Sequence, residues 1–341
     1  MTVHVELSLK PENHSSPNST LNHPPEKPDF HKEGPREVPG CPQGLDDGAL
    51  LAAQRYSFRV PPEFAALVNW QNPADPLLRQ IIPSAQELLS PAGFSADPLD
   101  ETQFLRAPGL IAKYPGRVLL RLTGVCPIHC RYCFRRHDTF ADVPNNPEGW
   151  QPALEWIRRH EEVGEVIFSG GDPLMVANGP LADLSAQIAA IAHVRRLRLH
   201  TRMPVCTPQR INDGLLEWLT GSRLRIFMVI HVNHPAELGK AGCDALGRLV
   251  DAGVPVLNQS VLLKGVNDCA KVLAELSECL LQNRVIPYYL HRLDPVVGAA
   301  HFHVDDVQAQ RLIGDLRDRL AGFAVPRLAR ETIGKLSKEV L

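Results

Sequence analysis

From Arg117 onward, short apolar runs alternate with longer amphipathic ones, and this rhythm limits the possible folds more than any other feature of the sequence. The predicted strands are Arg117–Thr123, Glu165–Ser169, Leu197–His200, Leu224–His231, Val254–Leu263 and Val285–His291. The predicted helices are Pro152–His160, Leu181–Ala192, Asn212–Thr220, Pro235–Ala252, Ala270–Gln282 and Val304–Ala321. Strands separated by helices form parallel sheets through crossover connections. Because a closed barrel needs eight such units, six of them predict a partial, open (β/α)6 TIM-like barrel with its site at the carboxyl ends of the strands.

The chain before the barrel divides into two further parts. Residues 1–45 contain eight prolines and hardly any apolar periodicity, so this segment cannot bury enough surface to offset its ordering entropy and is predicted to be disordered. Residues 46–112 suggest short helices broken by proline, as in Pro61–Val68, and are predicted to form a helical N-terminal extension. Residues 113–341 then hold the barrel and a C-terminal lysine-containing segment.

Composition narrows the setting of the protein. The net charge of -2 gives no indication of a nucleic-acid or membrane partner. There is no apolar run long enough to span a bilayer and no secretory signal pattern, so a cytoplasmic protein is expected. In that compartment cysteines stay reduced, which favours a metal or redox role for any close group of them.

One such group follows the first predicted strand, in Gly124-Val125-Cys126-Pro127-Ile128-His129-Cys130-Arg131-Tyr132-Cys133. The thiolates of Cys126, Cys130 and Cys133 can bind three irons of a [4Fe–4S] cluster and leave the fourth iron open to a small molecule, whereas electron-transfer ferredoxins usually fill all four positions with cysteine. The alternatives are three core cysteines by chance, or a zinc site with His129 as its fourth ligand. The remaining cysteines are too scattered for a second cluster: Cys41, Cys206, Cys243, Cys269 and Cys279.

A second motif closes the next predicted strand, in Phe168-Ser169-Gly170-Gly171-Asp172-Pro173. Together with C-x3-C-x2-C and the aromatic residue before its last cysteine, it resembles the radical S-adenosylmethionine superfamily. That resemblance implies a partial barrel, a strongly reducing cluster and adenosylmethionine bound at the open iron. The residues that it assigns to adenosylmethionine are Ser169, Gly170, Gly171, Asp172, His231 and Gln259. A satisfied core histidine is the alternative interpretation of His231.

Four further segments resemble the lysine 2,3-aminomutases within that superfamily: residues 131–136, 200–204, 208–211 and 258–268. The resemblance implies pyridoxal 5′-phosphate as a further cofactor, because an imine lets nitrogen bridge two carbons while the ring spreads the unpaired electron. Lys338 or Lys335 would form the resting Schiff base. The family spacing favours Lys338, which follows an acidic residue by seven positions, although only Gly334 remains of the usual glycines before it. The cations implied for the phosphate are Arg117, Arg202 and Lys113.

The same resemblance indicates the substrate. Arg135 matches the arginine that holds the substrate carboxylate, and a guanidinium can do so bidentately. Asp294 and Glu331 match the two acids that hold the ε-ammonium group of lysine, with Glu331 in place of the usual aspartate. The predicted reaction is therefore the conversion of L-lysine to (R)-β-lysine, which makes the chain an isomerase.

Three more segments resemble the branch that makes β-lysine for attachment to elongation factor P: residues 287–294, 298–302 and 325–331. This implies a functional link to that factor and its lysyl-transferring enzyme, and a reductant such as flavodoxin or ferredoxin. The alternatives are a free-lysine aminomutase of degradation, osmolyte or antibiotic synthesis, a radical enzyme that has lost its pyridoxal, and a non-catalytic iron–sulfur redox protein.

Overall fold

The computed structural model of the chain describes residues 3–4, 45–138 and 143–341. Of residues 1–45, which were predicted to be disordered, the structure describes only residues 3–4 and Leu45. That prediction and Cys41 therefore lie outside the described residues. The strands are β1 (Val3–His4), β2 (Arg59–Val60), β3 (Leu105–Ala107), β4 (Leu110–Tyr114), β5 (Arg117–Arg121), β6 (Glu165–Ser169), β7 (Arg196–Thr201), β8 (Arg225–Ile230), β9 (Val256–Val261), β10 (Ile286–His291), β11 (Arg327–Arg330) and β12 (Glu339–Val340). The α-helices are α1 (Asp47–Arg55), α2 (Pro62–Ala65), α3 (Pro76–Ile81), α4 (Pro147–Arg158), α5 (Asn178–Ala189), α6 (Met203–Cys206), α7 (Asp213–Thr220), α8 (Lys240–Asp251), α9 (Ala270–Gln282) and α10 (Asp306–Arg317). Short 3-10 helices cover Ala85–Leu88, Glu101–Phe104, Pro173–Met175, Pro208–Arg210, Pro235–Glu237, Ala300–Phe302 and Gly322–Ala324.

Strands β3 to β12 form one sheet in which every strand pairs with its neighbour in sequence. The pairs from β5 to β11 are all parallel, while β3, β4 and β12 are antiparallel additions at the two edges. All six predicted strands are present, in the predicted order, and a helix follows each of them. The predicted partial, open barrel is confirmed.

The two faces of the sheet differ in chemistry. Alternate residues of β5 to β8 are buried in one apolar core with helices α4, α5, α7 and α8: Val118, Leu120, Val166, Phe168, Leu197, Leu199, Ile226 and Met228. The residues between them point to the other face, because successive side chains of a strand alternate. That face carries most of the charged side chains of these strands among some apolar ones, and it holds an ion pair between Glu165 and Arg198 with a nitrogen–oxygen distance of 2.6 Å. The helices therefore cover the outside of the sheet and leave the inner face for a site.

The two edges of the open sheet are joined by side chains. Lys113 on β4 and Glu331, directly after β11, form an ion pair of 2.8 Å. Six strands, β5 to β10, lie between β4 and β11 in the order of the sheet. The N-terminal extension reaches the same gap, where Ser95 makes a parallel β-bridge to Val296 after β10. The sheet is therefore curved around its inner face. The predicted boundaries of the N-terminal extension remain a prediction.

Local chemistry explains where the helices differ from their predicted bounds. Helix α4 begins before the predicted Pro152, because Asn146 caps it by accepting a hydrogen bond of 2.8 Å from the Gly149 N–H. The predicted helix Pro235–Ala252 is divided in two, since the Glu237 side chain folds back to accept from the backbone N–H of His234 and closes a separate 3-10 turn. No helix in the described part of the chain is long and apolar enough to cross a membrane.

Candidate active site

The carboxyl ends of the parallel strands bring most of the predicted site residues together, as expected for an α/β barrel. The three cysteines follow β5, the Gly-Gly-Asp turn follows β6, Arg202 follows β7, and His231 follows β8. Gln259 lies on β9, half-buried and on the opposite face of the strand from its buried neighbours. Asp294 and Glu331 follow β10 and β11, and Lys338 directly precedes β12.

Cys126, Cys130 and Cys133 share one loop and are half-buried free thiols. Burial raises the pKa of Cys133 to about 11 and that of Cys126 well above its ordinary value, and each is raised further by the neighbouring cysteines. Within the described residues, no three His, Cys, Asp or Glu side chains converge on one point as the ligands of a single metal ion would. A cubane cluster does not require such convergence, because each thiolate binds a different iron. The donor set of three neighbouring thiols therefore fits a [4Fe–4S] cluster.

His129, the alternative zinc ligand, faces the N-terminal extension. Its Nδ1 atom lies 2.8 Å from the Ser57 carbonyl oxygen, and its ring stacks on Tyr56 at 5.1 Å between centroids. These contacts give His129 a packing role between the cysteine loop and the extension.

The Gly-Gly-Asp turn packs directly against the cysteine loop. A Cβ atom at Gly171 would lie 2.3 Å from the Val125 carbonyl oxygen, and one at Gly170, whose φ is +130°, would lie 2.5 Å from that of Thr123. The Gly171 N–H donates to the Thr123 carbonyl oxygen at 2.7 Å. The two glycines thus permit a close approach between two backbone segments, those after β5 and β6.

Asp172 ties the same turn to the next strand. Its buried carboxylate accepts hydrogen bonds from the Thr201 hydroxyl and from the backbone N–H groups of Arg202 and Leu174, at 2.8 to 3.0 Å. Burial raises the pKa of Asp172, while these hydrogen bonds oppose the rise. Asp172 therefore positions the ends of β6 and β7.

Arg202 and His231 both contact the cysteine loop. Arg202 donates from Nη1 to the Cys130 sulfur at 2.7 Å and from Nη2 to Glu237 at 2.8 Å. The His231 Nε2 atom lies 2.9 Å from the Tyr132 hydroxyl, and the two rings stack. Burial lowers the pKa of His231 well below its ordinary value, and the charge of Arg202 adds to the effect. His231 is therefore neutral at pH 7.

Arg135 is buried between the N-terminal extension and the Gly-Gly-Asp turn. Its Nε and Nη2 atoms donate to the two carboxylate oxygens of Glu101 at 2.8 and 2.6 Å, a bidentate ion pair. Its Nη1 atom donates to the Gly170 carbonyl oxygen at 3.1 Å and lies 3.4 Å from the Ser169 hydroxyl. Arg135, which was predicted to bind the substrate carboxylate, thus binds the carboxylate of Glu101 in this structure.

A second charged group surrounds Glu331. Lys338 and Lys113 each donate to one of its carboxylate oxygens, at 2.6 and 2.8 Å. Burial pushes the pKa of Glu331 upward, but the charges and hydrogen bonds of the two lysines outweigh it and lower the pKa to about 2. Burial raises the pKa of Asp294 to about 7, with the charge of Glu331 adding to the rise and the lysines opposing it. Glu331 therefore holds two ammonium groups, and Asp294 lies within electrostatic reach of all three.

The surroundings of Lys338 also fit a polar ligand such as pyridoxal phosphate. Burial lowers the pKa of His291 to about 3, with the charge of Lys338 next in importance, so this imidazole is neutral. The His200 Nε2 atom, subject to the same charge, is buried without a hydrogen-bond partner in this structure. Since buried polar atoms are normally paired, such an atom suits a site that accepts a polar group. The third predicted cation, Arg117, stacks on the Tyr114 ring at 4.7 Å, and the Tyr114 pKa is raised by burial and then by Glu331.

The sequence did not reveal three residues that complete these contacts: Glu101, Glu237 and Gln80. Glu101 pairs with Arg135, while Glu237 and Gln80 both hold Arg202. None of them lies in a motif with a recognisable spacing, and only the folded chain brings them to their partners. Only Gln80 carried a signal in the sequence, as a polar residue in a mainly apolar stretch, because Glu101 and Glu237 stand among other polar residues.

The sequence is similar along most of its length to proteins named L-lysine 2,3-aminomutase. The Haemophilus influenzae protein is 44% identical over 297 residues, covering 87% of this chain and 88% of that protein. The Escherichia coli protein is 46% identical over 290 residues, covering 85% and 84%. The Clostridium subterminale protein is 36% identical over 290 residues, covering 85% and 70%. No family model matches the chain.

The partial barrel, with charged groups gathered at the ends of its parallel strands, defines an α/β-barrel enzyme. The chain belongs to the L-lysine 2,3-aminomutase family, and it is an isomerase. Among solved structures, Streptococcus suis SuiB and a radical SAM methyltransferase from Sphaerobacter thermophilus superpose with TM-scores of 0.49 and 0.46, each at 16% identity. The superpositions cover 64% and 65% of this chain and 50% and 68% of those chains.

Proposed function

We propose that the chain converts L-lysine to (R)-β-lysine with a [4Fe–4S] cluster on Cys126, Cys130 and Cys133, adenosylmethionine and pyridoxal 5′-phosphate. The observation that carries the proposal is the ion pair between the Nζ atom of Lys338 and Glu331, with the buried acid Asp294 within electrostatic reach of both. This arrangement offers both an amine for a pyridoxal aldehyde and carboxylates for the ammonium group of a substrate.

Charge counting supports lysine as the substrate. Glu331 holds two ammonium groups, those of Lys338 and Lys113, and Asp294 adds a second acid whose ionisation is suppressed by burial. Once the Lys338 amine is committed to pyridoxal, one oxygen of Glu331 is released. An incoming ε-ammonium group would then face two carboxylates, which suits a charge that is costly to bury unpaired.

The other end of the substrate would meet Arg135. The bidentate pair with Glu101 supports this role, because it has the geometry that a substrate carboxylate would adopt on the same guanidinium. Glu101 is also among the charges that raise the pKa of Asp294, so the carboxylate-binding and ammonium-binding groups lie within electrostatic reach of each other. An amino acid with a cationic side chain would satisfy both.

The cofactors would be divided among the remaining residues. When bound, the cluster and adenosylmethionine supply a carbon radical that removes hydrogen from the substrate, and pyridoxal phosphate lets the amino nitrogen move from Cα to Cβ. Lys338 would hold the pyridoxal ring, and its phosphate would meet the cations Arg117 and Lys113. The residues that would contact adenosylmethionine are Ser169, Gly170, Gly171, Asp172, His231 and Gln259. The neutral imidazole of His231 can donate or accept one hydrogen bond there without adding charge.

An anaerobic assay tests the proposal. Reconstituted protein, dithionite, both organic cofactors and L-lysine should yield β-lysine, measured by chromatography and mass spectrometry. Lys338→Ala and Cys130→Ala should abolish it. Lys335→Ala is the matched control, because Lys335 is 59% exposed and pairs only loosely with Glu339 at 3.7 Å; it should retain activity. Loss of β-lysine in the Lys335 variant and not in the Lys338 variant would reverse the assignment of the pyridoxal lysine.

We further propose that the product serves elongation factor P, on the support of the three segments 287–294, 298–302 and 325–331 that resemble that branch. The physiological electron donor would be a flavodoxin or ferredoxin. In cells that lack this chain, elongation factor P should lose the mass of one β-lysyl group on its modified lysine. An unchanged factor, together with altered growth on lysine, would favour free β-lysine production instead.

A further inference from the structure

The Arg202 guanidinium is held against the sulfur of a predicted cluster ligand. We propose that Arg202 is a positioning residue which fixes the Cys130 thiolate and, through its charge and hydrogen bond, raises the reduction potential of the cluster. The inference rests on the proposed function, because it requires a cluster on this loop. It gives Arg202 a role at the cluster in place of the phosphate contact that the resemblance implies.

The contact is direct and partly buried. Arg202 Nη1 lies 2.7 Å from the Cys130 sulfur, and the side chain is buried. The flat face of the guanidinium also packs over the Phe64 ring, with 5.1 Å from its central carbon to the ring centroid. A charge–sulfur contact in such surroundings is weakly screened, so it acts strongly on the charge of the sulfur.

A second set of contacts fixes the direction of the guanidinium. Nη2 donates to the Glu237 carboxylate at 2.8 Å and to the Gln80 side-chain oxygen at 2.9 Å. Gln80 and Glu237 are themselves joined by a hydrogen bond of 3.1 Å, and both are buried. Glu237 also accepts from the backbone N–H of Asn233 at 2.9 Å. With Nη2 and the ring face both held, Nη1 can point only toward Cys130.

The electronic consequence has a definite sign. Reduction adds one negative charge to the cluster and its thiolates, and hydrogen bonds to the sulfurs tune the potential at which this occurs. A fixed cation that donates to a thiolate stabilises the reduced state more than the oxidised state. Loss of the Arg202 donor should therefore lower the midpoint potential, and loss of the negative charge of Glu237 should raise it.

Potentiometric titration followed by electron paramagnetic resonance of the reduced cluster tests this, on the full-length reconstituted protein. In Arg202→Gln we expect the equilibrium constant for reduction to fall at least tenfold, about 59 mV for one electron. Arg202→Lys keeps the positive charge but loses the two-pronged guanidinium, so its midpoint potential should lie between those of Arg202→Gln and the wild type. Glu237→Gln should shift the potential upward, with Gln80 still holding Nη2. Arg196→Lys is the control, because Arg196 is at the opposite end of β7 and is 44% exposed; it should leave the potential unchanged.

The opposite signs separate electrostatic control from a merely structural role, which would disturb both variants alike. An unchanged potential in Arg202→Gln, or shifts of the same sign in Arg202→Gln and Glu237→Gln, would overturn the inference. If Arg202→Gln fails to hold a cluster, the Glu237→Gln titration decides: an upward shift supports the inference, and no shift or a downward one refutes it. Iron and sulfide analysis keeps the two proposals apart, since a wild-type protein without any cluster contradicts the proposed function itself.

Discussion

Glu87 is a buried acid that holds two arginines of the cysteine loop. Arg131, between the second and third cysteines, donates to both of its carboxylate oxygens at 2.8 and 2.6 Å, and Arg136 donates to the second oxygen. All three side chains are almost fully buried. Because Glu87 lies in the N-terminal extension, this group fastens the extension to the cysteine loop.

The substitution Glu87→Gln keeps the shape of the side chain and removes its charge. The Gln oxygen should keep the position of Oε1, where the backbone N–H of Ser84 and the Nε of Arg131 both donate. The amide NH2 would then face the two Nη2 groups that now donate to Oε2. Two charge-assisted hydrogen bonds are lost, each worth about 1.5–3 kcal/mol, and two buried cations lose their counter-charge. We expect a loss of about 3–5 kcal/mol in the free energy of unfolding, as for other broken buried ion pairs.

Urea denaturation under anaerobic conditions measures this loss, with fluorescence and circular dichroism compared to check that the transition is two-state. Asp244→Asn is the control, because its ion pair with Lys240 is exposed to solvent; it should leave the midpoint unchanged. A loss of less than about 1 kcal/mol for Glu87→Gln, as in a surface pair, would refute the reasoning. The carbonyl oxygens that also accept from Arg131, those of Tyr56, Ser57 and Ala52, would then suffice to hold the loop.

Three further predictions concern the site. Burial raises the pKa of Asp294 to about 7 while the Lys338 ammonium opposes the rise, and pyridoxal on Lys338 would remove that opposing charge. Since only ionised Asp294 attracts an ammonium group, kcat/KM for lysine should rise with pH at about 7 or above, and a flat profile across that range would contradict this role. In Gly171→Ala the added methyl group would lie 2.3 Å from the Val125 carbonyl oxygen. This variant should lose about 1–3 kcal/mol in the free energy of unfolding and bind less iron after reconstitution. Wild-type values for both would show that the turn can move. Glu101→Gln should lower KM for lysine about tenfold or more, since the substrate carboxylate no longer competes with a buried bidentate pair on Arg135 whose charge-assisted hydrogen bonds are worth about 1.5–3 kcal/mol each. A raised KM measured by steady-state kinetics would show instead that Glu101 assists binding.

The central strands and most helices could be predicted because their information is local. Strand Glu165–Ser169 and helix Ala270–Gln282 have the predicted bounds, since each is a periodic segment between residues that end it. Strands β3, β4, β11 and β12 were not predicted. Strands β3 and β12 are only three and two residues long, and β4 and β11 bury consecutive residues, so none of the four shows the alternation that marks a strand.

For the site too, the motif residues could be predicted from the sequence, whereas their ion-pair partners could not. The three cysteines, the Gly-Gly-Asp turn and the acids at the strand ends stand at fixed spacings, and a spacing can be read from sequence. Their partners could not be identified because ion pairs depend on distances in space. Arg202 illustrates the limit: its position at a strand end was evident, whereas its contact with Cys130 depends on Gln80, which lies 122 residues away in sequence.

The ion pairs inside the site have the same chemistry as the two ends of the proposed substrate. Arg135 holds the carboxylate of Glu101, and Glu331 holds the ammonium groups of Lys113 and Lys338. In the proposed function, lysine would replace one carboxylate and one ammonium group of the protein with its own, so binding exchanges ion pairs and leaves neither Arg135 nor Glu331 without a partner. Such exchange reduces the cost of desolvating a doubly charged amino acid in a largely buried site. It also disfavours ligands that carry only a carboxylate or only an ammonium group. Such a ligand could replace the protein's own ion-pair partner at Arg135 or at Glu331, but not at both.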